Sequence, residues 1–279
     1  MVVIDNAQVL SIKIPNTKIK SYKINIEDAK KVAQVFEKEK PDIVFHLAGP
    51  INLRKSVANP LFLRDVNFLS RTQIILDACR IHNVKKIIFI SSGGAIYENS
   101  KAIPTKEDYL ASPNSLYGLA NIMIEKYIAL YSKNNALHFT IVRLANVYGP
   151  RQWKSGFIPA TIIKMLKKES PIIYGTGDQT RDFIYIDDVV DALIVLAKKG
   201  KNEIYNVGSG KEISLNEVFI QVKKLLGTNI KPIYKSVTVL ETERSAVDIK
   251  KIQKVFGWKP KTGIKEGLLK TIAWYKKNG

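Results

Sequence analysis

Through the first half of the chain, apolar runs of strand length alternate with amphipathic stretches of helix length. Val2 to Ile4, Ile19 to Tyr22, Ile43 to Leu47, Lys86 to Ile90 and Phe139 to Arg143 read as strands. Between them, Asp28 to Glu39, Phe62 to Asn83 and Ser115 to Lys133 read as helices, the last carrying Met123, Ile124, Tyr127 and Ile128 at helical spacing. Such an order predicts a mostly parallel sheet covered on both faces, hence an α/β fold. Beyond Pro150 the alternation becomes irregular, with Gly and Pro clusters at Gly149-Pro150, Ser170-Pro171 and Gly175-Thr176-Gly177. These predict a smaller lobe over 151–279 after a first domain over 1–150, with parts of the chain returning to that domain.

At 279 residues and 46% hydrophobic content the chain can bury a full core. No apolar run approaches the ~18 residues of a membrane span, and the N-terminus carries no signal-peptide pattern, so a cytoplasmic protein is expected. Cys79 is the single cysteine and reads as a helix-packing thiol. His46, His82 and His138 lie far apart with no ligand spacing, which argues against a metal site. The formal net charge of +19 would draw polyanions, but it is scattered in pairs such as Lys30-Lys31, Lys167-Lys168 and Lys276-Lys277. No recognition motif accompanies it, so nucleic acid is not an expected partner, while an anionic small substrate would gain from the field.

The chemistry-bearing feature is Tyr117, followed by Gly118-Leu119-Ala120-Asn121 at the head of a helical run. In the spacing Tyr-x-x-x-Lys, a lysine stands one turn beyond a tyrosine on the same face. A free tyrosine has a pKa of about 10, so a nearby cation is what makes it a usable acid or base at neutral pH. Asn121 supplies hydrogen bonds and no charge. Just before it in sequence, Ile90-Ser91-Ser92-Gly93-Gly94-Ala95-Ile96-Tyr97 ends an apolar strand in small hydroxyl-bearing residues, the usual place for a site on an open parallel sheet.

Three segments together resemble the extended short-chain dehydrogenase/reductase family, specifically its nucleotide-sugar epimerases and dehydratases. They are Asp42 to Gly49, Ser91 to Tyr97 with Tyr117, and Arg143 to Gln152; further matches follow at Gly177 to Asp188, Tyr205 to Gly210 and Phe256 to Pro260. The resemblance runs the length of the chain in family order. It implies a Rossmann-like doubly wound parallel sheet with a C-terminal substrate lobe. Members open with a strand, a glycine-rich turn and a helix whose amides hold the cofactor pyrophosphate. This sequence shows no such turn and opens at Met1-Val2-Val3-Ile4-Asp5-Asn6, which is similar to the family's second strand. A βα unit of roughly thirty residues is therefore expected to be absent. In the strand order 3-2-1-4-5-6 its loss leaves a gap inside the sheet.

The resemblance implies NAD as cofactor, with Asp5 and Asn6 at the ribose, Asn25 and Ile26 at the adenine, and Leu47, Ala48 and Gly49 along the dinucleotide. Asp5 favours NAD over NADP, whose phosphate it would repel. Asn67 matches a family asparagine and reads equally as cofactor contact or structural residue. Tyr117 is implied as the catalytic base, with Ser92, or Ser91 behind it, replacing the family's hydroxyl at the place of Gly93; Asn121 occupies the lysine position. Asn146 and Arg181 are implied at the sugar diphosphate, arginine suiting that role by bidentate hydrogen bonding. Arg181 reads alternatively as a surface ion pair with Asp178 or Asp182. A second family arginine is replaced by Thr238, with Arg244 offset.

Gly94 and Ala95 stand where dehydratases carry an acidic group, so epimerisation of a nucleotide sugar, with UDP the expected nucleotide, is favoured over water elimination. A homodimer is expected as well. The absent turn, Asn121, Gly93 and Thr238 weaken four parts of one machine. A non-catalytic nucleotide-sugar-binding homologue or partner subunit, and a truncated gene product, therefore stand as rivals.

Overall fold

The computed structural model describes residues 1–6, 19–49, 61, 68–98, 100–152, 156–236 and 242–278. Strands β1 (Val2–Asp5) and β2 (Lys20–Lys23) pair in parallel, with Val2 opposite Lys20. Helix α1 (Ala29–Glu39) begins where the Asp28 carboxylate accepts from the Lys31 amide at 3.1 Å, and it buries Val32, Val35 and Phe36. That carboxylate satisfies an amide that the first helical turn leaves without a partner. Strand β3 (Ile43–His46) and helix α2 (Phe68–Ile81) follow. The predicted helix from Phe62 is thus seen from Phe68, residues 62–67 lying outside the described ones. Cys79 is fully buried on α2, and burial pushes its thiol up to about 12, as befits an inert packing residue.

Strand β4 (Lys86–Ser92) runs two residues beyond the apolar stretch into Ser91 and Ser92 and leads directly into the single turn α3 (Gly93–Ile96). Helix α4 (Leu116–Asn134) is capped by Ser115, which accepts from the Gly118 amide at 3.1 Å. Strand β5 (His138–Leu144) closes this half of the chain.

The remainder holds β6 (Asn146–Tyr148), α5 (Phe157–Leu166), β7 (Ile172–Tyr174), β8 (Thr180–Arg181), β9 (Phe183–Tyr185) and α6 (Ile186–Lys199). It continues with β10 (Glu203–Val207), β11 (Ile213–Ser214), α7 (Leu215–Leu226), β12 (Ile233–Lys235), α8 (Lys250–Phe256) and α9 (Ile264–Asn278). Helix α7 starts with a reciprocal capping box between Ser214 and Glu217 and stops at Gly227, whose φ of 63° suits glycine. Tyr148, Ile158, Ile162, Phe219, Leu268 and Ile272 lie in one buried cluster, each such side chain contributing about 1.5 to 3 kcal/mol by leaving water. Gly267 permits that packing, since a Cβ there would lie 2.1 Å from the Tyr148 hydroxyl.

The strands form a four-stranded sheet in the order β10-β5-β4-β3 and a separate parallel pair β1-β2. β3 and β4 are parallel, Ile43 opposite Lys86. Among the described residues no strand joins β1 to β3. In the doubly wound order of the family these would be the second and fourth strands, which flank the first. By density of contacts the chain divides into one unit of Met1–Ser91, Ser115–Ile141 and Gly200–Glu203, and another of Ser92–Asn114, Val142–Lys199 and Ile204–Gly279.

Candidate functional site

In the first unit the residues implied at the cofactor lie at or after the C-terminal ends of parallel strands, where open α/β sheets bind ligands. Asp5 ends β1 and Asn6 is exposed beyond it. After β2, Asn25 makes a local turn, its side-chain oxygen accepting from the Glu27 amide at 3.2 Å and its amide donating to the Glu27 carboxylate at 3.1 Å. Glu27 is in turn paired with Arg71 of α2 at 2.7 Å. The Asn25 oxygen keeps a second lone pair for an exocyclic amine. Ile26 is half-buried beside it, and Leu47, Ala48 and Gly49 leave β3 exposed. Asn67 lies outside the described residues.

His46 anchors the loop after β3. It is buried, within 3.1 Å of the Thr72 hydroxyl of α2 and 5.7 Å from the Phe89 ring, and burial lowers its pKa to about 4. These residues fit the adenosine half of a dinucleotide. They do not fit its pyrophosphate: among the described residues no glycine-rich turn and helix N-terminus stands between β1 and β3 to offer backbone N–H groups.

Tyr117 sits half-buried in the first turn of α4. Asn121, one turn on, is buried and donates its side-chain amide to the Tyr117 backbone carbonyl at 2.9 Å. It therefore bonds back onto its own helix and brings no charge to the tyrosine. A further turn along, the buried Glu125 carboxylate accepts from the Ser91 hydroxyl at 2.6 Å, tying α4 to β4. Ser91, the second choice for the missing hydroxyl, is thus committed to packing. Nothing in the sequence pattern singled out Glu125, although it continues the i, i+4 row of Tyr117 and Asn121.

In the second unit Ser92 caps α3 by accepting from the Ala95 amide at 3.4 Å. Gly93 has a steric reason: a Cβ there would lie 2.7 Å from a Val247 methyl and 3.3 Å from the Leu144 carbonyl oxygen. A serine or threonine at that place would collide. Gly94 faces the side chains of Asn146 and Ser245, at 3.8 and 3.9 Å from where a Cβ would sit. Sequence reasoning did not single out Ser245, and the fold brings it to this cluster.

Asn146 and Arg181 arrive through strand pairing. β6 runs parallel to β9 with Asn146 opposite Phe183, and the Asn146 amide donates to the Asp182 carbonyl at 2.8 Å. β8 pairs antiparallel with β11, placing Arg181 opposite Ile213. The Arg181 guanidinium donates to the carbonyls of Thr180 and Thr242 at 2.8 and 2.7 Å. Asp182, one of its suggested ionic partners, instead turns into the protein. It is 1% exposed and accepts from the Ser209 amide and hydroxyl at 2.7 and 2.6 Å and from the Gly210 and Val247 amides. Burial raises its pKa against the pull of those four donors. Arg244 pairs with Glu212 of the same unit, and Thr238 lies outside the described residues.

Behind this cluster is a polar core that sequence reasoning missed. Buried Arg143 donates to the Tyr97 hydroxyl at 2.7 Å and to the Glu107 carbonyl at 3.1 Å, its guanidinium lying 5.2 Å from the Tyr97 ring centre. The Tyr97 hydroxyl donates to the Asn206 side-chain oxygen at 3.1 Å, and the Asn206 side-chain amide donates to the carbonyls of Thr105 and Asp248. Burial raises the Glu107 pKa, against the Asn206 amide that it accepts. This network pins α3, β5 and β10 together, so the Ile-Tyr and Arg143 matches are structural. No helix among the described residues is long and apolar enough to cross a membrane.

Known proteins are similar in sequence and fold. A putative UDP-glucose 4-epimerase of Methanocaldococcus jannaschii is 42% identical over 240 residues, covering 85% of this chain and 78% of the relative. The structure of Thermotoga maritima UDP-glucose 4-epimerase with UDP-glucose superposes with a TM-score of 0.94 at 34% identity, covering 99% of this chain and 91% of that one. Thermus thermophilus UDP-glucose 4-epimerase in complex with NAD gives 0.90 at 28% identity, with 99% and 90% covered. The sequence profile of the NAD dependent epimerase/dehydratase family matches residues 2–208, and with it these likenesses show that the chain belongs to that NAD-dependent family.

Proposed function

We propose that this chain is a nucleotide-sugar epimerase most like UDP-glucose 4-epimerase, with Tyr117 as proton carrier at the sugar C4 hydroxyl. The observation that carries the reading is the position of Tyr117 in the capped first turn of α4, a helix tied to β4 through Ser91 and Glu125. A rigid helix start holds a phenol to the small tolerance that proton transfer needs. Epimerisation takes the hydroxyl proton as the C4 hydrogen departs as hydride, turns the keto sugar over, and returns the hydride to the other face of C4 and the proton to the oxygen. NAD, when bound, supplies the acceptor and donor for the C4 hydrogen. Gly94 and Ala95 offer no second acid, which favours epimerisation over elimination. Asn146 and Arg181, gathered in one unit by β6–β9 and β8–β11 pairing, support binding of the sugar diphosphate. Leu119, Met123 and Leu130, exposed along α4, favour a homodimer.

The rival reading, a nucleotide-sugar-binding homologue without turnover, draws on Asn121 being committed to the Tyr117 carbonyl. Titration calorimetry of UDP-glucose and NAD, alongside an assay of UDP-galactose conversion, separates the two. Binding of UDP-glucose weakened by Arg181→Ala, together with conversion lost in Tyr117→Phe, supports the epimerase. Binding without conversion favours the homologue. Absence of UDP-glucose binding at millimolar concentration removes both.

A further inference from the structure

The loop after β2 holds a carboxylate that neither the catalytic reading nor the sequence pattern uses. Glu27 is held at both of its oxygens. Oε1 accepts from Arg71 of α2, at 2.8 Å from Nε and 2.7 Å from Nη2, while Oε2 accepts from the Asn25 side-chain amide at 3.1 Å. The side chains of Arg71 and Glu27 are 25% and 34% exposed, so water competes for this pair less than for a fully exposed one. Asn25 closes the chain of contacts, its side-chain oxygen accepting from the Glu27 backbone N–H at 3.2 Å and its carbonyl from the Asp28 amide at 2.9 Å. All of these groups belong to the first unit, and Asn25 is exposed, open to a ligand.

A carboxamide has two orientations of the same shape, related by exchange of its oxygen and its NH2 group. The orientation decides what the residue recognises, because the oxygen accepts from an amine and the nitrogen donates to a carbonyl. Exchange at Asn25 would set its oxygen against the Glu27 carboxylate and its NH2 against the Glu27 backbone N–H, acceptor facing acceptor and donor facing donor. The contact to the carboxylate is the stronger of the two, since a hydrogen bond to an ionised group is roughly twice as strong as a neutral one. Arg71 engages the other carboxylate oxygen, which leaves Oε2 turned toward Asn25.

We propose that Glu27, held by Arg71, is a positioning residue that locks the Asn25 amide with its oxygen as acceptor, so that the cofactor site selects a 6-aminopurine over a 6-oxopurine. The amine of adenine donates to the second lone pair of that oxygen. A 6-oxopurine brings a carbonyl oxygen to the same place, and a site built around a hydrogen bond rejects an analogue that cannot make it. This selection rests on the reading of NAD as cofactor with Asn25 at its adenine, and not on the role of Tyr117.

The test titrates the full chain in a calorimeter with NAD and with nicotinamide hypoxanthine dinucleotide, which carries a carbonyl in place of the adenine amine. The native chain is expected to bind NAD about tenfold more tightly than the hypoxanthine analogue. In Glu27→Ala the amide loses its charged partner, and the ratio is expected to fall to about threefold or less. Arg71→Ala is expected to lower the ratio in the same direction, and Asn25→Ala, with no amide to orient, to abolish it. A purely structural Glu27 would instead weaken both dinucleotides equally and leave the ratio as it was, which overturns the proposal. A preference that survives in Asn25→Ala also overturns it, since the purine is then read elsewhere. NAD bound by the native chain without preference over the analogue overturns the proposal and leaves the cofactor reading standing. Binding of neither dinucleotide at millimolar concentration removes the adenine contact and the proposal together.

Discussion

Replacing His46 by glutamine should remove most of one component of the acid sensitivity of folding. Burial between β3 and α2 holds the imidazole at a pKa of about 4, against 6.5 for the ordinary group, and leaves it 4% exposed. Above about pH 6.5 both the folded and unfolded chains carry it neutral, and it has no effect on pH dependence. As pH falls from 6.5 toward 4 only the unfolded state takes up the proton, so stability is lost across that window and levels off below it. At 1.36 kcal/mol per unit, the difference between 6.5 and 4 corresponds to about 3 kcal/mol. Glutamine places an uncharged hydrogen-bonding group near the Thr72 hydroxyl and does not titrate. Urea unfolding of both proteins from pH 4 to pH 8 is the assay. The native chain should lose about 3 kcal/mol more than His46→Gln between pH 7 and pH 4. Free energies that run parallel over the whole range would refute the assignment of a buried neutral ring.

Three further outcomes follow from the same geometry. Gly93→Ser, which restores the family's hydroxyl, should lower stability by about 1 to 3 kcal/mol in denaturant unfolding, because its Cβ meets Val247 and the Leu144 carbonyl. Asp182→Asn should cost about 1.5 to 3 kcal/mol by the same method, since an amide cannot accept all four of the donors that the carboxylate now holds. In any preparation that turns over, Asn121→Lys should shift the pH–rate profile downward, the new ammonium stabilising the Tyr117 phenolate; an unmoved profile would show that another group serves the phenol.

The strand and helix pattern was legible because each element obeys a local rule. Asp28 and Ser115 sit where capping residues should, and β3 to β5 begin within a residue of their apolar runs. Long-range packing was hidden. Gly93 reads in sequence as a lost hydroxyl, and only the approach of Val247, 154 positions away, explains it. Asp182 reads as a surface charge beside Arg181, yet between β8 and β9 it turns inward to amides at Ser209, Gly210 and Val247. Likewise, Ser91 and Glu125 are 34 residues apart and share no motif, so their bond is a product of the fold alone.

The most direct test of the catalytic reading follows C4-deuterated UDP-galactose incubated with NAD and the chain by mass-resolved chromatography of the sugar nucleotides. The account predicts UDP-glucose that retains its deuterium, absent in Tyr117→Phe. No UDP-glucose, or conversion that Tyr117→Phe leaves unchanged, would contradict it.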